Sequence, residues 1–280
     1  MSPGVNAGVI RAHREGILTD TSLMVNGAAA EEAVVLARAT PRLSVGLHLV
    51  LAQGRATLPP SEIPALVDAG GFFREQPIGA ALRYFFTPGV RAQVRREVMA
   101  QIEKFLATGL PLSHVDGHVN IHMHPTILNL LLEVAARYDI RALRLTREPV
   151  AFALRFDRRH AARKLGEGLI FSALSAYARP RLAAHGVRHT DHLFGLHQSG
   201  HVTREYLLQL LPQLGDGVTE LYCHPALIDA ETRRWRPVDY ASEAELAALT
   251  DARVAQRISD LGIELMTYRD LDNVVDSERP

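Results

Sequence analysis

The sequence predicts an α/β protein in which parallel strands alternate with helices and close into a (β/α) barrel. Short apolar runs alternate along the chain with stretches of helical periodicity. Residues 44–51 are almost continuously apolar, as in a parallel strand that is buried on both faces. His48, His118 and His224 each fall in or at the end of a predicted strand. Ligands gather at the carboxyl ends of parallel strands, so the three histidines indicate one convergent site.

The opening residues predict a helix. Ser2 can cap it, Pro3 favours the first turn and Gly16 closes it. In an alternating α/β protein a strand normally comes before the first helix. We therefore expect that a first strand is missing upstream of Met1.

The remaining elements follow from composition and spacing. Strands are predicted at residues 21–25, 44–51, 114–124, 142–145, 191–197, 219–223 and 264–268. Helices are predicted at residues 28–38, 91–107, 125–138, 206–214 and 243–261. Residues 146–189 are helical, basic and weakly periodic, and we interpret their arginines as a solvated face (Arg155, Arg158, Arg159, Arg163).

Residues from 53 to about 90 are predicted to form an excursion from a single domain that spans 1–280. Several prolines and glycines interrupt any regular pattern there. The apolar residues of the excursion could line an apolar substrate or simply pack it down: Phe72, Phe73, Leu82, Tyr84, Phe85 and Phe86.

Composition excludes several classes of protein. Lys plus Arg equals Asp plus Glu at 31 each, so no overall charge draws the chain to nucleic acid or to anionic lipid. Cys223 is the single cysteine, which excludes an intrachain disulfide and fits a reducing compartment. Neither a secretory signal nor an apolar run of membrane-spanning length is visible. We therefore expect a cytoplasmic protein without a membrane span.

The stretch 114–125, H-V-D-G-H-V-N-I-H-M-H-P, is the strongest candidate for a site. Its even-numbered residues are polar up to position 124, a period of two that places them on one side of an extended segment. The spacing of His114, His118 and His122 also fits a helix face, but Gly117 and two valines favour a strand running into a loop. Imidazole and carboxylate groups together suit a divalent metal ion. The alternative is a polar strand edge, or core histidines with satisfied hydrogen bonds.

Four ordered motifs cover most of the chain. They are S-P-G-V-N-x-G-V-I-x-A-H-x-x-G-I-L-T-x-x-S-L-M-V-N-G (2–27), G-L-H-L (46–49), H-V-D-G-H-x-x-x-H-M-H-P (114–125) and C-H-P-A-x-I-D (223–229). Together they resemble the YdjC-like carbohydrate deacetylases. Three further motifs look most like the hopanoid-biosynthesis-associated branch: F-F-x-P-x-V-R (85–91), A-T-G-L-P-L (107–112) and D-H-L-F-G-L-H-Q-S-G-H (191–201).

The resemblance implies a (β/α) barrel of the glycoside hydrolase/deacetylase type and a divalent metal ion, Mg or Zn, held by one Asp and two His. His48 of G-L-H-L and His118 of H-x-D-x-H correspond to the two histidine ligands. His224 of C-H-P corresponds to the general acid. We predict that Asp116 is also catalytic, either as a substitute base or by orienting a ligand imidazole or the substrate.

The sequence departs from the family pattern at its start. In the family, a strand ending in A-D-D-F-G comes directly before the segment that Met1 begins here, and its two aspartates supply the third metal ligand and the general base. We expect that Met1 is an internal methionine of a longer reading frame; a truly shortened, inactive protein is the alternative. An in-frame stop codon directly upstream of Met1 would contradict the first reading.

The resemblance implies a metal-dependent hydrolase that removes the acetyl group from an N-acetylglucosamine unit. The branch implies a hopanoid glycolipid as substrate, and the motifs leave a chitooligosaccharide open. His114, His122 and Arg144 are candidates for binding sugar hydroxyls. Peripheral membrane contact and a homodimer are also left open.

Two other classes of function remain as alternatives. One is a truncated, non-catalytic protein that binds carbohydrate or metal. The other is a different metallohydrolase with a two-metal centre, which would need more carboxylates at strand ends than the sequence shows.

Overall fold

Parallel strands from successive parts of the chain pair in sequence order. In this computed structural model, which describes residues 1–73, 79, 84, 87–235 and 237–274, three strands form one parallel sheet. They are β1 (Asp20–Leu23), β2 (Ser44–Leu49) and β3 (Val115–Gly117). A second parallel pair consists of β4 (His192–Phe194) and β5 (Thr219–Leu221). The predicted α/β class with parallel strands is confirmed.

Single parallel bridges extend the first sheet towards the second. Val115 of β3 pairs with Leu143, and Ala142 pairs with Arg188, which lies shortly before β4. The segment predicted as the strand 142–145 therefore lies beside β3. It pairs there through these isolated bridges and does not form a continuous strand. Within the described residues no strand ladder joins β1 to β5, so the predicted barrel stays a prediction.

Helices connect the strands. Those that the structure describes are α1 (Pro3–Glu15), α2 (Ala30–Arg38), α3 (Pro88–Leu106), α4 (Pro125–Tyr138), α5 (Val150–Phe156), α6 (Ala161–Ala184), α7 (Arg204–Leu210), α8 (Ala230–Trp235), α9 (Ser242–Leu249) and α10 (Ala252–Asp260). Short 3₁₀ segments lie at His118–Met123, Leu211–Gln213 and Tyr268–Asp272. Over the described part of the chain, none of the helices combines the length and the apolar character needed to cross a bilayer.

Helix α1 begins and ends where the sequence predicts. The Ser2 hydroxyl accepts a backbone hydrogen bond from the first turn, and Gly16 follows the last helical residue. The same hydroxyl lies 2.6 Å from the Thr232 hydroxyl, and the Gly4 N–H donates to the Asp229 carboxylate at 2.6 Å. The start of α1 is therefore fixed to the segment that follows the C-H-P motif, so the first and last motifs meet in the fold.

The main apolar core lies between the first sheet and helices α3 and α4. Strand β2 is buried along its length except at His48, as its apolar sequence predicts. The predicted stripe of α3 is fully buried and consists of Val94, Val98, Ile102 and Phe105. Apolar residues of α4 pack into the same core. Each large aliphatic or aromatic side chain buried in this way stabilises the fold by roughly 1.5–3 kcal/mol, so this core holds β2 and β3 in place.

The strand in the His-rich stretch is shorter than predicted. It ends at Gly117, and the following 3₁₀ segment contains two left-handed residues, Val119 (φ 49°) and Asn120 (φ 56°). Asn tolerates this conformation better than most residues. The Asn120 side-chain oxygen also accepts a hydrogen bond from the Thr146 hydroxyl at 2.9 Å. This turn interrupts the predicted alternation, so the histidines beyond His118 are not on one extended strand face.

Two predictions near the C-terminus are wrong. The predicted helix 243–261 is broken, because the Asp251 side chain accepts a backbone hydrogen bond and caps the start of α10. The predicted strand 264–268 is absent, and Tyr268 instead begins a 3₁₀ segment. The backbone N–H of Tyr268 donates to the Asp20 carboxylate of β1 at 3.3 Å, so a side-chain contact occurs where a backbone ladder was expected.

The predicted excursion is described in part. Antiparallel bridges join Arg55 to Phe72 and Val67 to Phe73, and the Phe73 side chain is buried. Tyr84 is buried and donates its hydroxyl to a backbone carbonyl of the core at 2.7 Å, which favours the packing interpretation for this residue. Leu82, Phe85 and Phe86 lie outside the described residues. The single domain over 1–280 stays a prediction.

We expect Gly46→Ala to destabilise the protein by about 1–3 kcal/mol, as overpacking of a filled core does. A Cβ atom at this position in β2 would lie 2.5 Å from the His114 ring and 2.7 Å from the His114 carbonyl oxygen. The control is Gly166→Ala in α6, where a Cβ atom meets nothing within 4 Å and alanine favours the helix. Urea unfolding measures both; equal stability of Gly46→Ala and wild type would contradict the close contact.

Candidate active site

Neighbouring strands place the first two functional side chains side by side. His48 of β2 and Asp116 of β3 are partners in the parallel ladder. The His48 Nδ1–H donates to the Asp116 carboxylate at 2.8 Å. Asp116 is buried, whereas 21% of the His48 side chain is exposed. With the proton on Nδ1, the Nε2 atom of His48 keeps its lone pair for another partner.

A network of buried charges holds Asp116. Its second oxygen forms an ion pair with Arg144, whose Nε donates to Glu220 of β5 at 2.8 Å. The Tyr268 hydroxyl donates to the other Glu220 oxygen at 2.5 Å. Burial alone would raise the pKa of Asp116, but the charges of Arg144 and His48 hold it well below its usual range. Asp116 is therefore a carboxylate at neutral pH.

His118 follows β3 directly, and its ring lies beside that of His48. The two ring centroids are 5.7 Å apart and the rings are nearly perpendicular, at 73°. Burial and the neighbouring charge of His48 lower the pKa of His118 to about 4, so its imidazole is neutral at pH 7. Within the described residues no hydrogen bond occupies either ring nitrogen of His118. Neutral imidazole is the form that binds metal ions.

His224 lies just beyond β5, on the wall of the same cluster. Solvent reaches its side chain, although protein surrounds the ring on most sides. Its ring is 5.1 Å from the ring of Tyr240. This enclosure, together with the charges of His48 and Arg144, lowers the pKa of His224. His224 is therefore near His48 and Arg144, and a site shared by the three histidines stays a prediction.

The family of the chain follows from its relatives. A family model described as YdjC-like protein matches residues 1–260. The chain belongs to the YdjC-like family. Carbohydrate deacetylases of Geobacillus stearothermophilus and Brevibacillus brevis are each 32% identical to it, over 96% of this chain and 93% and 95% of their own lengths. A crystal structure of an Enterococcus faecalis protein, described as a candidate cellobiose-phosphate cleavage protein, matches with a TM-score of 0.73 and 28% identity, over 96% of this chain and 94% of that one.

In this YdjC-like chain, three residues predicted to bind substrate are used by the protein itself. His114 is buried, and its ring nitrogens lie 3.1 Å from the Ser22 hydroxyl and 2.9 Å from the Ser113 hydroxyl. His122 is fully buried, and its Nε2–H donates to the Arg144 carbonyl at 3.0 Å. These contacts oppose the prediction that the three bind sugar hydroxyls, because both imidazoles are inaccessible and two carboxylates hold the guanidinium of Arg144.

His48 and His118 are suitable as two of the ligands of one divalent ion. His48 and His118 are close, and His48 is held by a carboxylate on its other nitrogen, as metal-binding histidines usually are. Over the part of the chain that the structure describes, no group of three or more His, Cys, Asp or Glu residues is placed to hold a metal. The residues present therefore fit two ligands of the predicted metal site, and none of the described carboxylates supplies the third.

The sequence did not identify Glu220 or Tyr268 as parts of this site. Glu220 had a readable signal, since a carboxylate inside the short strand T-E-L-Y-C is costly unless it has a partner. Arg144, in the segment beside β3, had the complementary signal. Tyr268 had none, because its place depends on how the last segment folds back against β1 and β5.

We expect His122→Gln to weaken the pH dependence of stability. Burial lowers the pKa of His122 from 6.5 to about 4 in the folded chain. The unfolded chain therefore takes up this proton first, and the free energy of unfolding decreases as pH falls from 6.5 to 4. Glutamine keeps an N–H donor but cannot take the proton.

Urea unfolding at pH 7 and pH 5 measures this effect. The variant should lose less stability than wild type, by up to about 1.4 kcal/mol per pH unit. His185→Gln, at an exposed histidine on the end of α6, is the control and should behave as wild type. Equal losses in wild type and His122→Gln would contradict a neutral His122 in the fold.

Proposed function

We propose that this chain is a metal-dependent carbohydrate deacetylase that removes the acetyl group from an N-acetylglucosamine unit. The observation that carries the proposal is the pair of neighbouring imidazoles, His48 and His118. The Asp116 carboxylate accepts a hydrogen bond from Nδ1 of His48. Relatives named carbohydrate deacetylase, similar over nearly the whole chain, support the same reaction.

We also propose that the strands belong to a (β/α) barrel. Tyr268 contacts both outer strands, through its N–H to Asp20 of β1 and its hydroxyl to Glu220 of β5. One residue that contacts both strands, through its backbone N–H and its hydroxyl, supports their lying near each other, as barrel closure requires.

His48 and His118 are the proposed ligands of a divalent ion, with Mg or Zn the predicted metals. When bound, such an ion lowers the pKa of a water molecule and polarises the carbonyl of the acetyl group. The neutral imidazole of His118 suits this task, because it need not lose a proton to bind a metal ion.

Asp116 is proposed to orient His48 and not to act as the general base. Both of its oxygens have partners, one with His48 and the other with Arg144. Its pKa is held well below the usual range, so it is a weak base. A base is most effective when its pKa lies near the working pH.

His224 is proposed as the proton donor to the leaving amine. Hydrolysis adds the oxygen of water to the acetyl carbon and breaks the C–N bond, and the sugar nitrogen must gain a proton as it leaves. The surroundings of His224 lower its pKa to about 3, so the ring is neutral at pH 7. It must therefore take up the proton that the attacking water gives up before it can donate one to the amine. Solvent access to the ring is consistent with a side chain that meets a substrate.

The substrate proposed is an amino sugar, either in a hopanoid glycolipid or in a chitooligosaccharide. The motifs that resemble the hopanoid-associated branch support the glycolipid. In the described part of the excursion, Phe72 exposes 39% of its surface and offers an apolar contact. The cytoplasmic location and the homodimer stay predictions.

A non-catalytic carbohydrate- or metal-binding protein is the second candidate. It is favoured by the finding that, within the described residues, no third ligand joins His48 and His118. Metal binding by the purified chain without acetate release from either class of sugar would support it over the deacetylase.

We expect His118→Ala to reduce acetate release by at least about 10²-fold, because loss of a metal ligand removes the activation of water. The assay measures acetate from N-acetylglucosamine oligomers and from a glucosaminyl lipid at saturating Zn or Mg. His192→Ala, at an exposed histidine that opens β4, is the matched control and should keep wild-type turnover. Unchanged turnover in His118→Ala would remove it from the proposed site.

A further inference from the structure

Helix α6 carries an apolar patch that the described fold leaves uncovered. Leu165, Leu169 and Ile170 expose 54%, 76% and 58% of their surface. Their spacing places them together on one side of the helix. Gly166 and Ala173 are exposed on the same side of the helix and extend the uncharged surface. Adjacent exposed side chains of this size mark a surface that contacts another apolar phase.

The charges around the patch are mostly positive, although Arg159 lies 3.1 Å from the Asp157 carboxylate. Arg158, Arg159 and Arg163 lie at its N-terminal end and are exposed. Glu167 is the acidic residue of α6, and it lies 3.9 Å from Arg163 and 3.7 Å from His197. Its charge is therefore offset by Arg163, and the patch as a whole presents apolar side chains bordered by arginines.

This combination fits an anionic bilayer better than a second copy of the chain. Two α6 helices packed in parallel through the patch would bring arginines from both copies together, which opposes association. An antiparallel pair would place them against the C-terminal half of the partner helix, which has no acidic residue. At a bilayer surface the apolar side chains enter the boundary between headgroups and acyl chains, and each arginine near anionic headgroups contributes about 1 kcal/mol.

The helix also lies next to the rim of the candidate site. Glu167 of α6 contacts His197, which belongs to the loop after β4. In the same loop the Ser199 hydroxyl lies 2.7 Å from the hydroxyl of Tyr240, whose ring is 5.1 Å from that of His224. A surface that receives α6 would therefore lie beside the site.

We propose that this face of α6 docks on the surface of an anionic phospholipid bilayer. The docking goes beyond the proposed deacetylation, because it requires neither a metal nor turnover. It places Leu165, Leu169 and Ile170 at the headgroup boundary and the arginines against lipid phosphates. A sugar held on a lipid would then reach the site from the membrane side.

Sedimentation with lipid vesicles tests the proposal. The purified chain is mixed with vesicles of equal parts phosphatidylglycerol and phosphatidylcholine, and the bound fraction is measured. Wild type should bind, and binding should weaken as salt is raised. The triple variant Leu165→Gln/Leu169→Gln/Ile170→Gln should bind about tenfold or more weakly.

The matched control replaces exposed apolar residues elsewhere, in the triple variant Val35→Gln/Leu265→Gln/Val274→Gln, and should bind as wild type does. Arg158→Gln/Arg163→Gln should weaken binding to anionic vesicles. Thermal unfolding of each variant checks that it remains folded.

Three results would overturn the docking surface. The first is that wild type does not bind anionic vesicles. The second is that wild type and the α6 triple variant bind them equally. The third is that wild type is a dimer that does not bind vesicles, and that the α6 triple variant is a monomer. Acetate release from a soluble chitooligosaccharide and from a glucosaminyl lipid separates the two proposals. The α6 triple variant should act on the soluble sugar at the wild-type rate. A wild type that binds vesicles and releases acetate from neither substrate would contradict the deacetylase alone.

Discussion

The structure depends most on the buried carboxylate of Asp116, which is held between His48 and Arg144. A buried charge is stable only when it is paired and hydrogen-bonded, and removing one partner of such a pair typically costs about 3–5 kcal/mol. The pairing fixes the tautomer and position of His48. Through Arg144 it also ties β3 to Glu220 of β5, so the second strand pair is positioned by the same charge.

Some side chains of the cluster hold their neighbours in place, and others have polar atoms left to react with a substrate. Asp116 is buried, Arg144 and Glu220 are largely shielded from solvent, and the three use their polar atoms on one another. His118 and His224 lie at the strand ends, where the described chain provides fewer polar partners and solvent reaches His224. A layer of paired charges beneath imidazoles at the strand ends suits the proposed metal-assisted hydrolysis, because reacting groups must be held in place while remaining accessible.

Much of the fold and part of the site follow from the sequence. The buried strand β2 and the helix cap at Ser2 were predictable from local apolar pattern and capping chemistry. The proximity of His48 and His118 followed from parallel topology and from family motifs. The left-handed turn at Asn120 was not predictable, because alternation of polar residues cannot reveal where a strand ends. The burial of predicted sugar-binding residues was missed for a related reason: their partners come from distant strands, and pattern alone does not distinguish a satisfied core histidine from a ligand.

The central claim is that His48, oriented by Asp116, binds a divalent ion. It is tested most directly by calorimetric titration of the chelator-treated chain with Zn²⁺. The account predicts one bound ion, with affinity about 10- to 100-fold weaker in Asp116→Asn and a comparable loss in His48→Gln, which keeps Asp116 paired with Arg144. Asp139→Asn, at an exposed carboxylate, should bind as wild type does. Unchanged affinity in both Asp116→Asn and His48→Gln would contradict the account.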